Sequence, residues 1–167
     1  FTAQKIELRG HKLWSLLRYD PPLLILGVRF TLSSVFSPDE DLYSSLPIRF
    51  LTFLGGEQDL RGFDRSSLPR SGIGALSGAT IGLEARLHKV IWRRLDIFTF
   101  LDSGLLGRAQ MELERPIFLS PGAGVRWETP FGVLRTYLAW RMAVEEIPGE
   151  EPYGRETRLG FTLGEEF

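Results

Sequence analysis

Two histidines, His11 and His88, are the residues best suited by type to act as a general base near neutral pH. A hydrolase needs such a base beside a nucleophile and a carboxylate. His88 precedes Lys89 at the end of an alternating segment, and no serine or carboxylate stands at a suitable spacing from it. The stretch GIGALSGATIG lacks the Lys-Ser/Thr of a phosphate-binding loop, and the chain has no cysteine. We therefore predict that the protein is not an enzyme and has no metal site and no cofactor.

One segment concentrates the other side chains that could do chemistry. Residues 54–70, LGGEQDLRGFDRSSLPR, contain a Gly-Gly pair, the tripeptide Arg61-Gly62-Phe63 and a proline, and their hydrophobic pattern fits neither helix nor strand. An arginine can bond one carboxylate through two N–H groups and still contact a further acceptor. Such a loop needs a framework that holds the arginine and its partners, so the segments around it decide what it can do.

The segments that follow alternate with a period of two, which predicts β-strands with one apolar and one polar face. Glu84 lies on the polar face of the first, and Phe100 and Asp102 share one face of the next. The predicted strands are 24–34, 75–88, 96–106, 121–129, 133–142 and 157–167, together with two less regular but strand-like segments, 2–17 and 46–54. Short and long connections alternate between most of them. About eight such strands predict an all-β protein, namely a transmembrane antiparallel β-barrel with a long loop that carries Arg-Gly-Phe.

Water-soluble barrels and sandwiches alternate in the same way, so the composition of the polar face has to distinguish the two classes. That face carries glycine, arginine, glutamate, aspartate and threonine but few lysines, whereas a face in contact with water favours lysine and glutamate. A crowded barrel interior suits small residues and paired charges. We therefore favour a bacterial outer-membrane barrel, with membrane lipid as a partner. The net charge of −1 gives no reason to expect a nucleic-acid partner.

Aromatic residues and the last strand support this assignment. The aromatic side chains near strand ends or on the apolar faces are expected to form interfacial girdles; they are Trp14, Trp92, Trp127, Tyr137, Trp140 and Phe167. The sequence stops on an aromatic residue of an alternating strand, which is the feature that outer-membrane assembly machinery reads. The predicted C-terminal assembly signal consists of Gly160, Phe161, Leu163 and Phe167.

With these strands in place, LGGEQDLRGFDR resembles the sixth extracellular loop of the outer-membrane assembly and two-partner secretion superfamily, the BamA/TamA-type or bacterial surface antigen barrels. Three further motifs follow in the same order. GATIGLEARL is similar to the strand after that loop, and FTFLDSG is similar to the next strand. GAGVRWETPFGVLR, with a terminal aromatic strand, is similar to the last three strands. The resemblance covers residues 47–167 well and the first 46 loosely.

The resemblance implies a role for the matching residues. In this family the loop arginine reaches into the barrel interior and meets inward carboxylates of the next two strands, beside an aromatic ring. The predicted loop motif is Arg61, Gly62 and Phe63, and its predicted partners in the interior are Glu84, Phe100, Asp102 and Gly104.

The chain departs from the family pattern in size. Family barrels have sixteen strands and usually carry periplasmic modules, whereas we predict one barrel domain over 1–167 with about eight strands and no periplasmic module. Tyr137 also stands where the family often has an aspartate. Eight strands can be the C-terminal half of a larger barrel, can close alone with the loop over the mouth, or can join other copies edge to edge. We favour a minimal version that closes alone or forms an oligomer.

Two functions follow from the resemblance. The first is a non-enzymatic outer-membrane barrel that resembles the assembly and translocation superfamily and helps substrates or lipids to cross or insert. The alternative is a structural, lipid-enclosing or pore-like oligomeric protein without insertase activity. The expected partners are membrane lipid, further copies of the chain, and the outer-membrane assembly machinery during biogenesis.

Overall fold

Eight strands form one antiparallel sheet in a computed structural model of the chain. The structure describes residues 3–17, 22–36, 46–144, 154 and 156–164, without the side chains of residues 90–92 and 115. The strands are β1 (Gln4–Leu16), β2 (Leu24–Phe36), β3 (Ser77–Trp92), β4 (Leu95–Gly107), β5 (Glu114–Thr129), β6 (Gly132–Trp140), β7 (Met142–Val144) and β8 (Thr157–Leu163). No helix within these ranges has the length and apolar character needed to cross a membrane.

The strands follow the order β1-β2-β3-β4-β5-β6-β8, and β7 pairs with β5. β6 and β7 keep one continuous register against β5, since Gly122 pairs with Ala139 and Leu119 pairs with Met142. In that register Trp140 and Arg141 lie opposite Pro121 and Ser120, and Pro121 has no backbone N–H to donate to the ladder. β1 and β8 are the two edges, and no pairing between them occurs within the described residues.

The predicted number of strands is confirmed, but one predicted strand is absent and the bounds of two others are wrong. The predicted strand 133–142 is divided between β6 and β7. Residues 46–54, predicted as a strand, contain a short 3-10 turn, Ile48–Phe50, and two isolated bridges. β7 takes the eighth place instead. β5 begins at Glu114 rather than near residue 121, so it is 16 residues long. β1, β2 and β4 have 13 residues each, also longer than the roughly ten-residue segments that are typical of these barrels.

The two faces of the sheet have opposite character, as the alternation predicts. The outer face is apolar and exposed, with Leu83 at 44% and Phe161 at 62% of full exposure. The inner face is buried and carries the glycines and charged residues of the alternating strands. Trp14, Trp127 and Trp140 are on the outer face, near strand ends, and are about two-fifths exposed. Tyr137 is buried on the inner face, so its predicted place in a girdle is wrong.

The sheet curls tightly around the loop between β2 and β3, here called the long loop (residues 46–76 of it are described). In a flat sheet β2 and β8 would lie about 24 Å apart, five spacings of about 4.8 Å. Glu57 of the long loop contacts both strands. Its backbone carbonyl accepts a hydrogen bond from Arg29 Nη1 of β2 at 3.0 Å, and its carboxylate accepts one from Thr162 Oγ1 of β8 at 2.8 Å. One residue can bridge these strands only because the sheet curves towards the loop.

Candidate functional site

The long loop is a compact structure with its own backbone pairing. Thr52 pairs with Ala75, and Leu54 pairs with Leu68, which brings the two arms of the loop together. Gly55 begins the tip with a φ of +115°, and a Cβ at this position would lie only 2.2 Å from the carbonyl oxygen of Asp64. Only glycine fits this close approach of two backbone segments. The Gly-Gly pair therefore shapes the turn that leads to Arg61.

Arg61 is fully buried on the inner face of the sheet between two carboxylates. Its Nε and Nη2 atoms donate to the two oxygens of Asp102, each at 2.8 Å, which is a bidentate pair. Its Nη1 atom donates to Glu84 Oε2, also at 2.8 Å. The backbone N–H of Arg61 donates to Asp102 Oδ2 at 3.2 Å. One arginine thus joins the long loop to β3 and β4.

The ring of Phe100 covers the guanidinium of Arg61. The distance from Arg61 Cζ to the ring centroid is 3.5 Å, within the range of a cation–π contact. Burial alone would lower the pKa of Arg61, but the hydrogen bonds and charges of Asp102 and Glu84 outweigh it and raise that pKa. Arg61 is therefore a permanent buried cation. We call Arg61, Glu84, Phe100 and Asp102 the Arg61 cluster.

Gly62 and Phe63 fix the loop on the other side of Arg61. The Gly62 N–H donates to Ser120 Oγ at 2.6 Å, and a Cβ on Gly62 would lie 2.7 Å from the Trp140 carbonyl oxygen. This contact lies at the interruption between β6 and β7. Phe63 packs edge-on against Phe118 at 5.8 Å between ring centroids. The Arg-Gly-Phe tripeptide therefore docks along β3, β4 and β5.

Three further arginines contact the two carboxylates, and sequence reasoning assigned none of them to the site. Arg29 Nη2 is 3.2 Å from Asp102 Oδ1, and Arg86 Nη2 is 3.1 Å from Glu84 Oε1. Arg135 Nη2 donates to Glu84 Oε2. All three alternate onto the inner face of β2, β3 and β6, so strand parity alone placed them there. The sequence does not reveal how far the sheet curls, and it is this curl that brings the three arginines to the same carboxylates.

The other predicted residues are placed as follows. Gly104 is on the inner face, and a Cβ there would lie 3.0 Å from Leu54 and from Leu60 of the long loop. Gly160 is also inward, and a Cβ there would lie 2.0 Å from the ring of Tyr137. Phe161 and Leu163 are on the outer face and exposed. Phe167 lies outside the described residues. The predicted assembly signal stays a prediction.

A second charged group surrounds Asp96 near the short turns at the other end of the sheet. His88 Nδ1 lies 2.9 Å from Asp96 Oδ1, and Arg126 Nη1 lies 3.0 Å from Asp96 Oδ2. The prediction that His88 has no carboxylate partner is therefore wrong, because the β3–β4 hairpin brings Asp96 of the next strand beside it. Among the described residues, no group of three or more histidine or carboxylate side chains is arranged to hold a metal ion.

Comparisons with known proteins agree with this architecture. Residues 10–167 match the Omp85 superfamily domain. Among solved structures, the chain is similar to CdiB from Acinetobacter baumannii, with a TM-score of 0.59 and 18% identity over 95% of this chain and 26% of that one. The chain thus spans about a quarter of that protein. No curated protein sequence matches it.

The match confirms the family predicted from the loop and strand motifs. It begins within β1 and continues through every later strand, so it includes the long loop and the whole Arg61 cluster. The similarity to CdiB adds that the curled sheet is a known arrangement of strands. The chain belongs to the Omp85 superfamily.

Proposed function

We propose that this chain is a non-enzymatic wall of an outer-membrane β-barrel of the assembly and translocation class, and that residues 1–167 act as one domain. The observation that carries the proposal is the buried contact of Arg61 with Glu84 and Asp102. A soluble domain is not expected to enclose a charged loop arginine within its sheet and to leave the apolar face of the same sheet exposed. Both features suit a wall with lipid outside and a filled interior.

In the proposed mechanism the long loop holds the sheet in its curled form. Arg61 ties the loop to β3 and β4, and Glu57 ties it to β2 and β8. Release of the loop would remove its ties to four strands, β2, β3, β4 and β8, at once, so the sheet could open and its edge strands separate. Helping a substrate or lipid to insert would then depend on how readily the loop is released.

Reconstituted vesicles test this function. The purified chain is incorporated into phospholipid vesicles, and insertion of a urea-denatured small β-barrel protein is followed by its heat-modifiable migration on a gel. We expect the wild-type chain to accelerate insertion, and Arg61→Ala to change the rate. Arg65→Ala is the matched control, because Arg65 is an exposed arginine of the same loop. Equal rates for empty vesicles and wild-type vesicles would refute insertase activity.

The alternative is a lipid-enclosing or pore-like assembly of several copies without insertase activity. The described residues supply no pairing strand for the outer edges of β1 and β8, and this favours the alternative, because unpaired edges are too costly in lipid to persist. Native mass spectrometry in mild detergent and planar-bilayer conductance distinguish the two functions. A discrete multiple of the chain mass, together with stable conductance and no stimulation of insertion, would support the alternative.

A further inference from the structure

An apolar groove lies on the outer face of the sheet, where β1, β2 and β3 end near the long loop. Its volume is about 340 Å³. The exposed side chains of Ile6, Leu8 and Leu32 form its floor and one wall, and Met111 and Leu113 form the other. The groove is separate from the Arg61 cluster, which lies on the opposite face of the same strands.

The connection between β4 and β5 builds the second wall by folding back over the outer face. The Met111 N–H donates to Ser34 Oγ at 3.1 Å, and Ser77 Oγ donates to the Ala109 carbonyl at 2.7 Å. The two hydroxyl oxygens are 3.3 Å apart. These bonds hold Met111 in a left-handed conformation, φ +58°, with its side chain 73% exposed. An exposed methionine is thus held over the sheet by a buried anchor.

The chemistry of the lining selects the ligand. The hydroxyl groups of Ser34 and Ser77 are already bonded to the overhanging loop, so they offer little to a polar ligand. What remains accessible is aliphatic and thioether surface. The groove is continuous with the outer apolar face through Leu8 and Leu32, which are each about half exposed. A flexible hydrocarbon chain can follow such a surface, and methionine adapts readily to it.

We propose that this groove binds one acyl chain of a membrane lipid. The proposal rests on the membrane placement given above, in which the outer face contacts hydrocarbon. The groove lies close to the strand ends, because Phe36 and Ser77 are the last and first residues of β2 and β3. The acyl chain would therefore enter from the headgroup region and lie along β1 and β2. A bound acyl chain would also cover the surface of the β4–β5 connection that faces the membrane.

Photolabelling locates the lipid. The protein is reconstituted into vesicles that contain phosphatidylethanolamine with a diazirine on its acyl chain, and the labelled residues are mapped by mass spectrometry. We expect Leu32, Met111 and Leu113 to be labelled at least about threefold more than Leu138 and Leu159, a preference of roughly 0.7 kcal/mol. Leu138 and Leu159 are the reference because they are exposed on the same face but outside the groove.

A pair of matched variants tests the shape of the groove. Leu32→Trp fills it and should reduce labelling of Met111 and Leu113 to the level of the reference residues. Leu138→Trp adds the same ring elsewhere on the outer face and should leave that labelling unchanged. Protease resistance of the long loop shows whether each variant is folded. The wild-type map alone decides the question if Leu32→Trp does not fold.

Three results would overturn the inference, and they differ from one another. Equal labelling along the outer face would mean ordinary lipid contact without a binding groove. Absence of label from the whole outer face would refute the membrane placement itself, and with it the proposed function. If the groove residues are protected from the lipid label and cross-link to another polypeptide, the occupant of the groove is a protein.

Discussion

At the scale of single residues, Arg61 is a buried cation held between two carboxylates, those of Glu84 and Asp102. Truncation of one member of a buried ion pair leaves its partner charged and desolvated, which costs about 3–5 kcal/mol. We therefore expect Arg61→Ala to lower the free energy of unfolding by about that amount. Arg61→Lys keeps the charge but not the bidentate geometry, so its loss should be smaller. Urea unfolding in lipid vesicles measures both.

The control for Arg61 is a double-mutant cycle with Asp102. If the two side chains stabilise the fold through each other, Arg61→Ala and Asp102→Ala combined should cost less than the sum of the two single changes. Arg65→Ala, in the same loop but exposed, should change the free energy of unfolding by less than about 0.5 kcal/mol. Strict additivity would show that Arg61 and Asp102 do not depend on each other.

Gly62 gives a steric prediction at the neighbouring position. A methyl group there would lie 2.7 Å from Ser120 Oγ and 2.7 Å from the Trp140 carbonyl oxygen, which belongs to the backbone and cannot turn away. We expect Gly62→Ala to destabilise the protein by about 1–3 kcal/mol and to increase protease cleavage of the long loop. Gly154→Ala is the control, because a Cβ there meets no atom within 4 Å. Equal protease resistance of the two variants would contradict this prediction.

Asp59 makes the stability of the long loop depend on pH. Burial raises the pKa of Asp59 above 3.8, and the positive charges of Arg29 and Arg9 offset only part of that effect. A raised folded-state pKa stabilises the protein at acidic pH, and this contribution is lost as the pH rises through the folded pKa. Asp59→Asn cannot ionise, so its free energy of unfolding relative to wild type should increase as the pH rises from about 3.8 to 7.

The control for Asp59 is Asp64→Asn, because the Asp64 carboxylate lies in the same loop and is 77% exposed. Urea titrations of the three proteins across this pH range should show a larger pH-dependent gain for Asp59→Asn than for Asp64→Asn. The nearby carboxylates Glu7 and Asp102 are the same in every variant, so they contribute equally to each curve. Parallel curves of unfolding free energy against pH for wild type and Asp59→Asn would exclude Asp59 as the source of the pH dependence.

At the scale of elements, strand parity accounts for what the sequence predicted correctly about the site. A period of two fixes the face on which a side chain lies, so Glu84 and Asp102 were placed inward without knowledge of the fold. Parity does not give the distance between strands that are far apart in the sheet. Arg29 and Arg135 come from strands on either side of β3–β5, and only the curl of the sheet brings both into the cluster.

The strand bounds that were predicted incorrectly from the sequence also have local causes. Residues 46–54 alternate like a strand, but Leu51 and Leu54 are buried against the loop and the inner face rather than in a ladder. Local periodicity cannot distinguish these two kinds of burial. In β5, Pro116 and Pro121 indicate a loop, because proline normally ends a central strand. The sheet accommodates Pro121 by interrupting the neighbouring strand between β6 and β7.

Glu57 leads to a prediction about the curl itself. Thr162→Val removes the hydroxyl that donates to Glu57, and Glu57→Ala removes the acceptor. The chain has no cysteine, so nitroxide labels at Phe30→Cys and Leu163→Cys report one β2–β8 distance by pulsed electron spin resonance. We expect both changes to lengthen or broaden this distance. Thr157→Val, in the same strand, should leave the distance as in wild type. If Thr162→Val and Glu57→Ala also leave the distance distribution unchanged, the bridge through Glu57 is ruled out.

At the scale of the whole molecule, the long loop and the sheet determine each other. The described part of the loop forms two isolated backbone bridges of its own, and its buried apolar residues pack against Leu106 of β4, Phe118 of β5 and Ala143 of β7. The sheet in turn has no second sheet to pack against within the described residues, and the loop fills its inner face. The curl gives the protein an interior, and the exposed apolar outer face gives it a surface for lipid. No strand among the described residues covers the outer edges of β1 and β8.

The edges give the last prediction. Hydrocarbon offers no hydrogen-bond partner, so the outward N–H groups of β1 and β8 have to be paired in a membrane, by each other or by another polypeptide. We expect amides of Gln4–Leu16 in vesicles to exchange with deuterium about as slowly as those of the central strand β4. In detergent at low protein concentration, exchange in β1 should accelerate if its partner is a separate chain and stay slow if the sheet closes on itself. Fast exchange of β1 in vesicles would mean that this edge is in contact with water, and the membrane placement of β1 would then be wrong.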